Sequence, residues 1–230
     1  SHYVAISEAD RHERLHYIAT IHHGIDMTAF EASQVPGASL LFFGRIHPDK
    51  GASAPIEVAE RAGLPLTIAG IIQDREYFER FVEPRLDGER VRYIGPVGPA
   101  ARRDLLAGAR ALLHLIDFEE PFGYSVVEAM ACGTPVIANA RGSMPEIVRH
   151  GEGGYLVCSL DEAVAAVHAS GDMDRLAVRA SVERRFDVER MVDEYLDVYR
   201  RVVAYQRAGR SGLEADPRPG RAGGSAGTLR

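Results

Sequence analysis

The stretch Ala111 to Val148, ALLHLIDFEEPFGYSVVEAMACGTPVIANARGSMPEIV, decides the fold. It opens with an apolar run, Ala111 to Ile116, short and unbroken, the pattern of a strand buried on both faces of a parallel sheet. An acidic turn punctuated by Pro121 follows. From Ser125 the apolar residues Val126, Val127, Met130 and Ala131 recur three and four apart, which predicts a helix lying on that sheet, ended by Gly133 where a left-handed backbone is needed. Thr134-Pro135 then leads into a second strand, Val136 to Ala138. In a strand, helix, strand unit of this kind ligands sit at the carboxyl end of the first strand, here the turn carrying Glu119, Glu120, Phe122 and Gly123.

Two carboxylates frame that turn, Glu120 at the end of the strand and Glu128 in the first turn of the helix. An ionised carboxylate accepts hydrogen bonds from two vicinal hydroxyls, each charge-assisted bond contributing roughly 1.5–3 kcal/mol. Pro121 fixes one backbone angle and Gly123 lets main chain approach closely, so Phe122, Gly123 and Tyr124 can turn amide N–H groups toward an oxygen-rich molecule at the positive end of the helix. A purely structural reading stands beside this one. Ser125-x-x-Glu128 is also a capping box, in which Glu128 bonds back to the amide of Ser125, and Glu119 and Glu120 can be solvated charges.

Upstream, Ser39 to Phe43 is a second buried-strand run, followed at once by Gly44-Arg45-Ile46-His47-Pro48-Asp49-Lys50-Gly51 and a helix from Ala54 to Ala62. The turn sets two cations five positions apart, and the helix directs its positive end at the same crevice. Leu64 to Gly70 reads as the next strand, Ile71 to Val82 as a charged helix, Val91 to Ile94 as a short strand, and Ala101 to Ala109 as a helix. Downstream come a strand ending at Val157, helices Leu160 to Ala169, Asp172 to Arg184 and Val188 to Gln206, the last with the stripe Met191, Tyr195, Val198 and Val202. The whole predicts an α/β, Rossmann-like parallel sheet with helices on both faces. A Walker A loop and a G-x-G-x-x-G fingerprint are both absent from the sequence, which argues against ATPase and NAD chemistry.

The string E-P-F-G-x-x-x-x-E followed by A-M-A-C-G-T-P-V-I-A resembles the signature of the family 4 (group 1) retaining glycosyltransferases of the GT-B fold. The likeness covers Ser39 to roughly Tyr199, the donor-binding, C-terminal half of such an enzyme. It implies a nucleoside-diphosphate sugar as donor and co-substrate, with Glu120 on the sugar hydroxyls beside Phe122, Gly123 and Tyr124, and Glu128 on the ribose diol. The turn G-R-x-x-x-x-K-G of the same family implies that Arg45 and Lys50 grip the diphosphate, and Gly70, Ile72 and main chain near Val97 would enclose the base. Arg45, Lys50 and Glu120 are then the catalytic group. No metal and no other cofactor is called for, because cations and helix ends can take the phosphate charge. Besides His23, which stands where asparagine is usual, two places depart from the family pattern: Asp117-Phe118 stands where Pro-Ser is common, and Arg141 replaces a glycine in the turn ending Pro145-Glu146-Ile147-Val148, where Glu146 reads as a capping acid.

The same resemblance divides the chain into residues 1–36, the end of an acceptor domain and linker marked by His23-Gly24-Ile25-Asp26, residues 37–170, the donor domain, residues 171–207, C-terminal helices, and a tail from 208 to 230. The opening segment, with Tyr3 to Ile6 as a strand and no initiator methionine, reads as a fragment, so a non-catalytic sugar-nucleotide-binding module is the alternative to transfer. Any peripheral membrane contact would belong to the missing domain. Within residues 1–36, His12-Glu13-Arg14-Leu15-His16 matches H-E-x-x-H, a remote zinc-peptidase reading set against a solvated helix face. His22 and His23 are adjacent, so on extended chain they point to opposite sides.

With 230 residues, 46% hydrophobic and net charge −6, the chain reads as one globular domain with extras. Its acidity and the lack of a basic stripe argue against nucleic acid, and no apolar run reaches a membrane span. Cys132 and Cys158, both read as small buried hydrophobes, fit a reducing cytoplasm. The tail, with Arg207, Arg210, Arg218, Arg221 and Arg230, is expected to be disordered and solvated.

Overall fold

The computed structural model describes residues 2–207, so the tail expected from 208 to 230 lies outside the described residues. Two strands, β1 (Tyr3–Ala5) and β2 (Tyr17–Thr20), pair in parallel as a small separate sheet. Then come β3 (Leu40–Phe43), α1 (Ser53–Ala62), β4 (Leu66–Ala69), the single turn α2 (Arg75–Tyr77), β5 (Val91–Tyr93), α3 (Pro99–Gly108), β6 (Leu112–His114) and α4 (Tyr124–Ala131). The chain continues through β7 (Val136–Asn139), α5 (Met144–Ile147), β8 (Gly154–Val157), α6 (Leu160–Ala169), α7 (Arg175–Glu183) and α8 (Val188–Arg207).

The six strands from β3 onward form one sheet in the order β5-β4-β3-β6-β7-β8, every neighbouring pair parallel. The chain therefore builds outward from β3 in one direction, then returns to β3 and builds outward from β6 in the other. The reversal leaves a crevice at the carboxyl ends of β3 and β6.

Alternation along the strands feeds two cores. Leu41, Leu112 and Val136 pack with Leu106, Val127 and Met130 under α3 and α4, whereas Leu40, Leu113 and Ile137 pack with Ile56 and Val167 under α1 and α6. Each fully buried side chain of this size contributes about 1.5–3 kcal/mol. Helices cover both faces, as the unbroken apolar strands predict. The stripe Met191, Tyr195, Val198 and Val202 of α8 closes on Val4, Ile18, Ala19 and Ile21, so the last helix packs against the β1–β2 sheet. Ile25 ties the crossing segment to the start of that helix through Ile25 N to Phe186 O at 2.9 Å and Val188 N to Ile25 O at 3.0 Å.

Several boundaries differ from the sequence reading. Residues 71–74 are irregular, and the expected helix to Val82 is α2 followed by one turn of π-helix (Phe78–Val82), with a 3-10 turn (Glu83–Arg85) carrying Pro84 after it. Asp74 sets the beginning, its carboxylate accepting from Tyr77 N at 2.8 Å. The helix expected from Asp172 starts at Arg175, because Asp174 caps it through Leu176 N at 2.9 Å. Gly133 does end the α4 turn, at φ 78°. Cys132 is buried but Cys158 is exposed, which corrects the expectation of two buried thiols. His12 to His16 form turns between β1 and β2, not a helix, so the spacing that would have put both imidazoles on one face has no geometric effect.

Candidate functional site

Two loops meet at the reversal point. One leaves β3 through Arg45 and a 3-10 turn, Pro48–Lys50, which His47 caps by accepting from Asp49 N at 3.2 Å before α1 begins. The other leaves β6 at His114 and runs to Gly123. Lys50 Nζ and Glu120 Oε2 pair directly across the gap, their side chains 17% and 13% exposed. Lys50 also stands 4.7 Å over the ring of Phe118. His114 Nε2 lies 3.6 Å from the same Glu120 oxygen, beyond hydrogen-bond reach, and it is buried with no hydrogen-bond partner. Burial would push the Glu120 carboxyl up, but His114 and Lys50 outweigh it and bring it down to about 2, so Glu120 is ionised at neutral pH. Burial holds the His114 ring below its usual value, with Glu120 opposing and Lys50 adding to the effect, and the ring is neutral.

The Glu120 loop is stitched to the turn after β7. Ser143 N donates to Glu120 O at 2.9 Å, Ser143 Oγ to Phe122 O at 2.8 Å, Gly142 N to Glu119 Oε2 at 2.8 Å, and Asn139 Nδ2 to Ile116 O at 2.9 Å. At 142 only glycine fits, since a Cβ there would lie 2.5 Å from Glu120 N. The two departures from the family pattern meet here: Arg141 Nη1 donates to Asp117 O at 2.7 Å and pairs with the Asp117 carboxylate, while Arg141 Nε stands 3.4 Å from Glu119 Oε1.

Helix α4 starts at Tyr124, with Gly123 as its cap at φ 89°. Val126 N and Val127 N both donate to Gly123 O, at 3.0 and 3.3 Å. Ser125 is thus inside the helix, and the capping box does not form. Glu128 instead pairs with Arg102 of α3, Oε1 to Nη2 at 3.0 Å, its side chain 8% exposed. Burial raises its pKa and Arg102 offsets part of that rise. The Phe122 side chain is buried among Tyr124, His23 and Phe186, so it does not face a ligand; what the loop offers is main chain, the amides of Phe122 and Gly123 being unused in any hydrogen bond among the described residues. The Tyr124 ring, half exposed, stacks on His23 with centroids 5.1 Å apart. His22 turns elsewhere and bonds Glu146 Oε2 at 2.9 Å. Glu146 also accepts from Glu8 N and Ala9 N, both at 2.9 Å, so it fastens residues 8–9 instead of capping its own helix.

Arg45 is exposed and bonded to Gln73. Gly70 and Ile72 lie beside it: Ile46 bridges Ile72, and Gly70 O accepts from Tyr93 Oη at 2.8 Å. Val97 sits farther along, past β5, where with Ile94, Leu41 and Thr67 it lines a cavity of about 440 Å³ against α3. The structure therefore brings together Lys50 with Glu120, and Arg45 with Gly70 and Ile72, while Glu128 faces α3 and Gly70 N, donating to Gly95 O at 2.9 Å, ties that group to the turn leading to Val97.

Sequence reasoning missed His114, Arg102 and the stacking His23. Only His114 left a signal, as the one polar residue inside the run ALLHLI. Among the described residues no group of three His, Cys, Asp or Glu can hold a metal ion, so the zinc reading of His12 and His16 finds no support. Nor is any helix among them long and apolar enough to cross a membrane.

Residues 29–169 match the family described as Glycosyl transferases group 1. The D-inositol 3-phosphate glycosyltransferase of Mycobacterium marinum is 30% identical over 228 residues, a match covering 87% of this chain and 48% of that protein. The chain spans about half the length of the curated relatives it matches. Among solved structures, AviGT4, a glycosyltransferase involved in avilamycin A biosynthesis, superposes with a TM-score of 0.75 at 28% identity over 87% of this chain and 64% of its own. Anabaena HepE, solved in complex with UDP-glucose, shares the fold, with a TM-score of 0.73 at 21% identity over 85% of this chain and 62% of its own.

Proposed function

The chain belongs to the group 1 glycosyl transferases, and from that premise we propose that it is the donor half of a family 4 enzyme that takes a nucleoside-diphosphate sugar and transfers the sugar with retention at the anomeric carbon. The observation that carries this reading is the Lys50–Glu120 pair at the crevice of the sheet, a cation suited to a diphosphate held against an anion suited to sugar hydroxyls. In the reaction the bond between the anomeric carbon and the diphosphate oxygen breaks, the diphosphate keeps the electron pair, and an acceptor hydroxyl bonds to the carbon as its proton departs. Negative charge grows on the leaving phosphate. Lys50 and Arg45 oppose it, prepositioned donors at such a place being worth roughly 3 kcal/mol each. Glu120 orients the sugar with the free amides of Phe122 and Gly123 beside it.

On this reading Glu128 takes the ribose diol, and Gly70 and Ile72 enclose the base with main chain near Val97. Arg102 competes for Glu128 and must be shared or displaced when nucleotide enters. Arg45, Lys50 and the amino ends of α1 and α4 supply the positive charge, so no metal ion is required. We assign residues 37–170 to the donor domain, 171–207 to the closing helices and 1–36 to the end of an acceptor domain with its linker. The exposed, unpaired Cys158 suits a reducing compartment, which favours the cytoplasm.

A second reading rests on the same ion pair: residues 2–207 taken by themselves bind a sugar nucleotide at Lys50 and Glu120 without transferring it. Calorimetric titration with UDP-, GDP- and ADP-glucose, followed by a hydrolysis and transfer assay, separates the two. Binding with turnover supports the enzyme, binding alone supports the module, and no binding removes both.

A further inference from the structure

The imidazole of His114 has no role in the account so far, yet it is the most constrained polar group in the crevice. It is the last residue of β6, held in register with Ala138 of β7 in the middle of the sheet, and its ring is about 5% exposed. Nε2 is buried without a partner, an arrangement that costs about 1–3 kcal/mol and calls for a reason. Glu120 Oε2 lies 3.6 Å away, the oxygen that Lys50 now occupies.

We propose that His114 is a positioning residue: its Nε2–H takes over the Glu120 carboxylate when Lys50 turns toward the diphosphate of the donor. The inference rests on the donor reading of the crevice. Lys50 has two anions to serve, and its side chain sits on a loop with four rotatable bonds, so it is the partner that can move. His114 is fixed by the strand and cannot. Closing from 3.6 Å to the roughly 2.9 Å of a good hydrogen bond takes a carboxylate shift of about 0.7 Å. A neutral imidazole donates one proton without cancelling the charge, so Glu120 keeps its acceptor strength for the sugar hydroxyls. Without this partner, the departure of Lys50 would leave a nearly buried carboxylate with no protein donor to its side chain.

The test compares wild type, His114→Leu, which deletes the donor, and His114→Gln, whose amide nitrogen falls near the position of Nε2. Each is titrated with UDP, GDP and ADP and with their glucose conjugates. The expected result is that His114→Leu binds the diphosphate like wild type but loses about tenfold in affinity for the conjugate, and that His114→Gln stays within about twofold of wild type on both. A merely structural histidine would shift melting temperature and leave the ratio of the two affinities unmoved. An unmoved ratio in His114→Leu, or equal loss in both variants, overturns the proposal. Should His114→Leu not fold, 15N NMR of the wild-type imidazole decides: the Nε2–H signal moves downfield and exchanges more slowly on adding the conjugate, and no change in it overturns the proposal. Wild type binding none of the six compounds would instead sink the donor reading itself, and this inference with it.

Discussion

Lys50 and Glu120, 70 positions apart in the chain, meet as an ion pair at the point where the strand order of the sheet reverses. Each comes from the loop after a different central strand, and the pair exists because β3 and β6, remote in sequence, are neighbours in the sheet. Each side chain is under one-fifth exposed, so the pair is more than a surface contact, and removing one member leaves the other as a poorly solvated charge.

The first prediction is a coupling. Lys50→Ala is expected to lower stability more than the double variant Lys50→Ala, Glu120→Gln does, with an interaction energy of about 1–3 kcal/mol in a chemical-denaturation double-mutant cycle. Additive effects would mean the pair is not held in solution.

The second concerns pH. The Glu120 carboxyl sits at about 2 when folded, below its ordinary value of 4.5, so its contribution is complete above pH 4.5 and is lost as pH falls from there toward 2. That contribution amounts to about 2 kcal/mol once screening is allowed for. Acid unfolding followed by circular dichroism should show a loss of stability over this window that is reduced in Glu120→Gln.

The third separates ribose binding from structure at Glu128. Burial raises this carboxyl, so its ionised form costs stability at neutral pH, and the cost is relieved as pH falls through the folded pKa. Glu128→Gln is therefore expected to melt at the same temperature as wild type or higher at pH 7, with nucleotide affinity about tenfold weaker. A clear drop in melting temperature at unchanged affinity would leave Glu128 with only its structural partner Arg102.

The fourth tests the join between linker and core. Arg175, 4% exposed, donates to Ala109 O at 3.0 Å, Ala107 O at 2.8 Å, Ser33 O at 2.5 Å and Thr134 Oγ1 at 2.5 Å. Lysine cannot reproduce that planar fork. Arg175→Lys should cost about 2 kcal/mol or more in urea denaturation, because it strands buried acceptors. Loss of less than about 0.5 kcal/mol would contradict this.

The sheet was legible because its strands are unbroken apolar runs, and the crevice was legible because the acidic and basic turns each follow such a run. What was not legible depended on contacts between distant residues. Ser125 and Glu128 have the spacing of a capping box, but Gly123 caps the helix two residues earlier than Ser125 would, which frees Glu128 to reach Arg102. The packing of the Phe122 ring among His23, Tyr124 and Phe186 leaves no trace in the local string, while its amide, the group expected to meet a ligand, is left unused among the described residues. Asp117 and Arg141 read separately as departures from a pattern; in space they are partners, which explains how the loop keeps its shape without the usual Pro-Ser and glycine. The H-E-x-x-H string failed because residues 12–16 fold as turns, and local spacing means little without the helix it presumes.

The most direct measurement is a crystal structure of the chain soaked with the sugar nucleotide it binds best. The account predicts the diphosphate within hydrogen-bond distance of Lys50 Nζ and a sugar hydroxyl on the Glu120 carboxylate. A nucleotide seated elsewhere, with the Lys50–Glu120 pair undisturbed, would contradict it.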